Sequence, residues 1–203
     1  MGTTPNYGWT YPAPTNYVKD LPSDLGDLAD EIDATVAGLG SAGLTLIKAQ
    51  TVGTGVSSVS VTDAFSSTYD NYRITWTNGT VGTNNSDLRL SLNGITTSYE
   101  NSWLKLDTRS ATVVNGWTGS GSSYWLVTQG MGTNSPLLSV DIYQPYLSNY
   151  KYFNGWSFGS YNNWPEWISG IVYSSASATG FTVTGAGTTL TGGTIRVYGY
   201  KNS

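Results

Sequence analysis

The sequence predicts a mainly β protein: an antiparallel two-sheet sandwich of jelly-roll type, preceded by an extended N-terminal arm and one short helix of coiled-coil type. Three observations predict it. From Leu44 onward, apolar residues recur with period two in short stretches rich in β-branched and aromatic side chains, separated by Gly, Asn, Ser and Thr. Between Leu21 and Leu39 the period becomes that of a helix seam. Ahead of that seam, Pro5, Pro12 and Pro14 stand among aromatic rings. The expected segments are an arm over 1–20, an amphipathic helix over 21–40 and a β-domain over 41–203.

In the arm, each proline pushes the residue before it toward extended or polyproline-like backbone. A segment so short has no core of its own, yet it carries Tyr7, Trp9, Tyr11 and Tyr17. These are too many large rings to leave in water, so they are expected to lie against another surface. The alternative is a loose terminus.

The helix is expected over 21–38, about 27 Å long at 1.5 Å per residue. Leu21, Leu25, Leu28, Ile32, Thr35 and Leu39 follow heptad spacing, with Leu25, Ile32 and Leu39 at a and Leu21, Leu28 and Thr35 at d. Pro22 suits a first turn, aspartates favour the N-terminal end, and Gly38 with Gly40 stops the element. Gly26 and four aspartates are poor interior residues, so the apolar stripe must be buried for the helix to persist. It is buried either on the chain's own domain or in a parallel bundle of copies. Ala29 and Val36 at position e widen the stripe and favour three or more helices.

In the β-domain, nine stretches read as strands: LTLIKAQT, VSSVSVT, YRITWT, DLRLSL, SYWLVTQ, LLSVDIY, ISGIVYSS, FTVTG and GTIRVYGY. Leu88, Leu90 and Leu92 share one face against Arg89 and Ser91. Asn93-Gly94 then predicts a type I′ hairpin into ITTSY. Ile195 and Val197 are expected inside and Arg196 outside. So many strands with long loops favour a sandwich over a small barrel.

The chain has no cysteine and no histidine, which excludes disulfides, Ser/His/Asp triads, Cys/His catalysis and ordinary zinc sites. A D-x-D-x-D-G calcium loop is missing, and Asp24, Asp27, Asp30 and Asp33 read as solvated charge on a helix, so no metal or other cofactor is expected. The net charge is −4, but residues 1–43 carry six acids against Lys19 while residues 44–203 carry seven acids and eight bases. No basic patch offers the phosphate-neutralising surface that nucleic acid needs. No stretch approaches the roughly 20 apolar residues of a membrane span, and the start lacks the order of a signal peptide, so neither membrane insertion nor secretion by that route is expected. Asn78-Gly79-Thr80 and Asn84-Asn85-Ser86 match the glycosylation pattern, which short polar loops also produce by chance.

The strongest local peculiarity is NYKYFNGWSFGSYNNWPEWISG, residues 149–170. Rings interleaved with Asn, Ser and Gly have the make-up of a carbohydrate-binding surface, with Trp156, Tyr161, Trp164 and Trp167 as candidate glycan contacts, and also of adaptable binding loops generally. The competing reading is packing, with Tyr152, Trp156 and Phe158 in a core and Trp164 and Trp167 covering a sheet edge. Trp117, Tyr124 and Trp125 form a second cluster with the same two readings. Catalysis, if any, would need two carboxylates about 5 to 9.5 Å apart as in glycoside hydrolysis. Glu166, between Pro165 and Trp167, is the best acid, with Asp141 or Glu100 as its partner, although Asp141 also reads as the wet face of a strand. The expectation is a protein that is not an enzyme.

The opening TPNYGWTYPAPTNYVKDLPSDLGDLADEIDATV resembles the N-terminal module of tailed-bacteriophage virion proteins, in which a Pro/aromatic arm and a short helix precede varied C-terminal domains. IKAQTVGTGVSSVSVTDAFSSTYDNYRITW and the ending GGTIRVYGY likewise resemble a β-sandwich at the tips of such proteins. The similar stretches cover about half the chain. The resemblance implies a homotrimer made in the host cytoplasm and carried on the tail or capsid exterior. Tyr7, Trp9, Tyr11 and Tyr17 would anchor it to another virion protein, and Leu21, Leu25, Leu28, Ile32 and Leu39 would form a three-stranded stalk. It implies a short tail fibre or receptor-binding protein that meets host surface glycan, or alternatively a capsid decoration or head fibre, with a glycan depolymerase a distant third.

Overall fold

The computed structural model describes residues 1–15, 17–39, 43–107, 112–133, 137–159 and 164–202. The chain divides into two compact units, Met1–Leu44 and Thr45–Ser203.

In the first unit, β1 (Gly2–Thr3) pairs antiparallel with β2 (Thr10–Tyr11), a short turn of 3-10 helix covers Val18–Asp20, and α1 runs Leu21–Leu39. The arm, expected to be extended, without a core of its own and laid against another surface, closes into a small hairpin and is held on the helix. Thr4 N–H donates to Trp9 O at 2.9 Å and Gly8 N–H to Thr4 O at 3.0 Å. The backbone amide of Thr10 donates to Glu31 Oε2, and the Thr10 hydroxyl to Glu31 Oε1 at 3.0 Å. Trp9 Nε1 donates to Thr35 Oγ1 at 2.8 Å, and Thr35 in turn donates to the Glu31 carbonyl at 2.8 Å. A carboxylate taking two donors in this way makes a charge-assisted pair of bonds, stronger than neutral ones.

The second unit contains β3 (Leu44–Thr51) apart from its first residue, and β4 (Ser58–Val61), β5 (Asn71–Thr77), β6 (Thr80–Val81), β7 (Ser86–Leu92), β8 (Tyr99–Asp107), β9 (Thr112–Ser122), β10 (Trp125–Met131), β11 (Leu137–Tyr143), β12 (Lys151–Gly159), β13 (Trp164–Val172), β14 (Phe181–Ala186), β15 (Leu190–Thr191) and β16 (Thr194–Tyr200). Among the described residues these form an eight-stranded sheet, β3-β16-β5-β11-β12-β13-β8-β9, a four-stranded sheet, β10-β7-β14-β4, and a two-stranded piece, β15-β6. The pairings with a resolved register are antiparallel. The protein is therefore mainly β with antiparallel sheets, an arrangement compatible with a β-sandwich.

Both larger sheets feed one core. Leu88, Leu90 and Leu92 of β7 are buried together with Tyr72, Ile74 and Trp76 of β5, Val140 and Ile142 of β11, and Ile195 and Val197 of β16. Burying each such aliphatic side chain contributes about 1.5–3 kcal/mol. Trp125 of β10 joins the layers: its ring lies 4.4 Å from Phe153 of β12 and 5.2 Å, edge-on, from Tyr99 of β8. Trp125 is thus core, and the surface reading of its cluster fails at that residue.

The Asn93-Gly94 hairpin does not form. β7 and β8 belong to different sheets, so this turn carries the chain across the core instead of back along β7. Gly94 has φ 81° whereas Asn93 is not in the left-handed region, and Ile95 N–H donates to Leu92 O at 3.1 Å. A type I′ turn needs positive φ at both central residues; with it only at the second, the turn is of the kind that splays its flanking strands. ITTSY is accordingly a connector, and Tyr99 fixes it by accepting from Leu92 N–H at 2.8 Å and donating to Ile95 O at 3.0 Å.

Candidate functional site

The outward face of the large sheet carries the residues that the sequence singled out. Strand alternation sets which side chains reach it. In β12, Lys151, Phe153 and Ser157 are buried, so Tyr152, Asn154 and Trp156 point the other way. The packing alternative for 149–170 had the register off by one: Phe153 is the core residue, while Tyr152 and Trp156 are exposed. Nor does Trp167 cover an edge, since β13 lies between β12 and β8.

Register then assembles two parallel rows. Trp156 stands opposite Trp167, and Trp167 opposite Leu104, so β12, β13 and β8 present a continuous apolar row. Trp156 is 45 % exposed and Trp167 50 %, values that leave much of each indole available to a ligand. Two residues along each strand, about 7 Å away, runs a polar row: Arg73, Asp141, Asn154, Ser169 and Ser102 occupy successive strands in direct register. Ser102 and Ser169 share a hydrogen bond of 3.1 Å, and Asn154 Nδ2 donates to Tyr143 Oη at 3.1 Å. The groove over these rows encloses about 640 Å³. Gly155 lies at its floor, where a Cβ would come 2.3 Å from Ser139 O, so a larger residue would force β11 and β12 apart beside Trp156.

The two charged residues that line the groove, Arg73 and Asp141, cancel. Arg73 Nε and Nη2 donate to the two Asp141 carboxylate oxygens at 2.8 Å each, and Tyr200 Oη donates to Asp141 Oδ1 at 2.6 Å. Burial, reinforced by its bond to Asp141, pushes the Tyr200 phenol up to about 12. The hydrogen bond to Asp141 likewise holds the Arg73 pKa above its ordinary value.

Glu166 faces the opposite way. It is buried and sits 3.2 Å from Lys105 Nζ, directly across from it in register. Gln129 N–H donates to Glu166 Oε2 at 2.8 Å, Ser157 Oγ to the same oxygen at 3.3 Å, and Lys105 Nζ to Gln129 Oε1 at 2.8 Å. Burial raises the Glu166 pKa, as its apolar neighbours suggested, and Lys105 opposes the rise. Asp141 and Glu100 lie on the outward face, so neither is placed with Glu166 to flank one glycosidic bond. Among the described residues no three acids gather as a metal site.

Comparison with family models, curated proteins and solved structures finds no match.

The other expected site residues fall as follows. Tyr161 lies outside the described residues, and so does the side chain of Trp164, whose backbone opens β13. Tyr7 stacks on Trp9 at 5.0 Å, and Tyr7, Tyr11 and Tyr17 are exposed while Trp9 is half-buried on Thr35. In the seam, Leu21 and Leu25 are exposed and Leu28 and Ile32 half-buried; the Leu39 side chain lies outside the described residues. Leu104, Asn154, Ser169 and Ser102 were missed. The available signal was the alternation of KYFNGWSF around a buried Phe153.

Proposed function

We propose that this chain is a tailed-phage virion protein, a homotrimer that presents the outward face of its large sheet to host surface glycan. The carrying observation is the exposed Trp156–Trp167 pair, extended by Leu104 and bordered by a row of Asn, Ser and paired charge. Apolar sugar faces stack on indole, hydroxyls need small polar partners, and an electroneutral floor suits an uncharged or weakly charged saccharide. The jelly-roll form of the sandwich belongs to the same proposal. It is supported by the order β4-β14-β7-β10 in the smaller sheet, and by the successive crossings from β4 to β5, β7 to β8 and β9 to β10 between sheets.

The trimer is supported by what the arm leaves open. Glu31 and Thr35 are engaged by the arm, but Leu21, Leu25 and Val36 stay exposed on a stripe that also includes Ala29 and Ile32. At 100° per residue these five span about 80° of the helix, and half-buried Leu28 widens the stripe to about 100°, the breadth of a core-facing helix. Tyr7, Tyr11 and Tyr17 are the rings left to meet a virion neighbour. Immunogold labelling of virions with an antibody against residues 45–203 tests the placement. Gold at the tail supports adsorption, gold over the head moves the protein to capsid decoration, and unlabelled virions sink the proposal.

A further inference from the structure

A second cavity, of about 380 Å³, opens on the other side of β8 from the tryptophan pair. It is lined by Asp87 and Arg89 of β7, Asn101 of β8, Ser122 at the end of β9, and Tyr124 and Gln129 at and along β10. β10 is the edge strand of the smaller sheet, and its register with β7 breaks between Leu126 and Thr128 and again between Thr128 and Met131. Such irregularities re-aim side chains at a sheet rim.

Two donors in this wall are buried without a hydrogen-bond partner: Arg89 Nε and Asn101 Nδ2. Asn101 is 94 % buried, so its amide has no compensating exposure to solvent. Leaving such groups unsatisfied is costly, and such a pair around one cavity asks for an acceptor-bearing ligand. Arg89 is held in place by its guanidinium lying 4.3 Å over the Tyr124 ring. Asp87 adds an acceptor to the same cavity. Burial pushes its pKa up, while a backbone hydrogen bond from Gly130 and then the charges of Lys105 and Arg89 draw it back.

We propose that this cavity binds one uncharged, polyhydroxylated ring, a single sugar residue, through Arg89, Asn101 and Asp87. A carboxylate ligand would satisfy the donors but meet Asp87, and a cation would satisfy Asp87 but meet Arg89. A hydroxyl both accepts and donates, so adjacent hydroxyls of one ring serve both kinds of partner. The volume fits one ring within the usual range of small-ligand pockets. The site is independent of Trp156 and Trp167, which lie on the opposite face of the large sheet.

The test is amide-resonance titration of the full chain with uncharged methyl glycosides, with sodium acetate and glucuronate as charged arms. The expected result is saturable shifts at Arg89, Asn101 and Tyr124 with at least one methyl glycoside, and none there with acetate. Asn101→Leu should weaken this binding about tenfold or more, and Trp156→Ala with Trp167→Ala should leave it unchanged. If Asn101→Leu does not fold, Asn101→Asp, equal in shape but without the donor, should give the same loss. Absence of shifts with every glycoside, stronger shifts with acetate or glucuronate, or undiminished binding in the Asn101 variants would each overturn the proposal.

Discussion

Trp156 on β12 and Trp167 on β13 face each other directly across the strand pair, and both indoles are exposed on the outward side of the sheet. Facing residues on neighbouring strands have Cβ atoms about 5 Å apart, so the two indoles stand as neighbours on one face. Large exposed aromatics in direct register are costly to leave in water. Their placement beside a polar row is what the proposed glycan binding rests on.

Glu31 holds the arm to its helix, which makes it a switch for that segment alone. Glu31→Ala removes the acceptor of both the Thr10 amide and hydroxyl. Hydrogen exchange should then show loss of protection at Thr4, Gly8 and Thr10, by about 1–3 kcal/mol, with protection in residues 45–203 unchanged. Equal protection in the variant would mean that the arm is held by other contacts.

Leu25→Asp should convert the proposed trimer to monomers in sedimentation while the β-domain keeps its melting temperature, because Leu25 is half exposed at position a. A trimer that persists would place the assembly contacts in the sandwich. Gly26 offers a complementary change: a Cβ there meets nothing within 4 Å. Gly26→Ala should stabilise the helix by about 0.5–1 kcal/mol in a thermal melt; destabilisation would reveal a neighbour packed on that side.

Breaking the Lys105–Glu166 pair should be far more costly than any surface change. Glu166→Gln leaves Lys105 buried beside a neutral group, and losing one partner of a buried pair costs about 3–5 kcal/mol. The urea midpoint measures it. Replacing both residues together, Lys105→Met with Glu166→Leu, should recover most of the loss, and a single-variant cost below about 1 kcal/mol would contradict the buried network.

Tyr99 gives the fold an alkaline limit. Burial pushes its hydroxyl from the ordinary value of 10.0 up to about 12. The folded pKa is the higher, so the folded state keeps a proton that the unfolded chain releases. The associated stability is full below about pH 10 and is lost as pH rises toward 12, on the order of 2–3 kcal/mol. Urea midpoints taken between pH 9 and 12 should fall more steeply in the native sequence than in Tyr99→Phe; parallel declines would assign the effect elsewhere.

Much of the fold is legible in local pattern, and the exceptions share a cause. Leu88, Leu90 and Leu92 alternate cleanly with polar residues, so their burial follows from period two. β12 has aromatic side chains at 152, 153, 156 and 158, on both faces, and hydrophobicity alone does not say which set is inside. The deciding fact is tertiary: Phe153 meets Trp125 from the other sheet. The same holds at Asn93, whose amide donates to Gly180 O at 2.9 Å, far along the chain, in place of closing a hairpin. The Trp156–Trp167 pair was legible as residues, but the row that includes Leu104, Asn154 and Ser169 depends on the pairing of β13 with β8, which no local stretch encodes. The docking of Trp9 on Thr35 was hidden because a heptad reading assigns Thr35 to the seam.

The most direct measurement is glycan-array binding of the full chain, in parallel with the double variant Trp156→Ala/Trp167→Ala, each first shown to be folded by its thermal melt. The account predicts a defined set of bound glycans that is lost in the variant at unchanged stability. Bound glycans that persist in the variant, or a native chain that binds none while folded and trimeric, would contradict it.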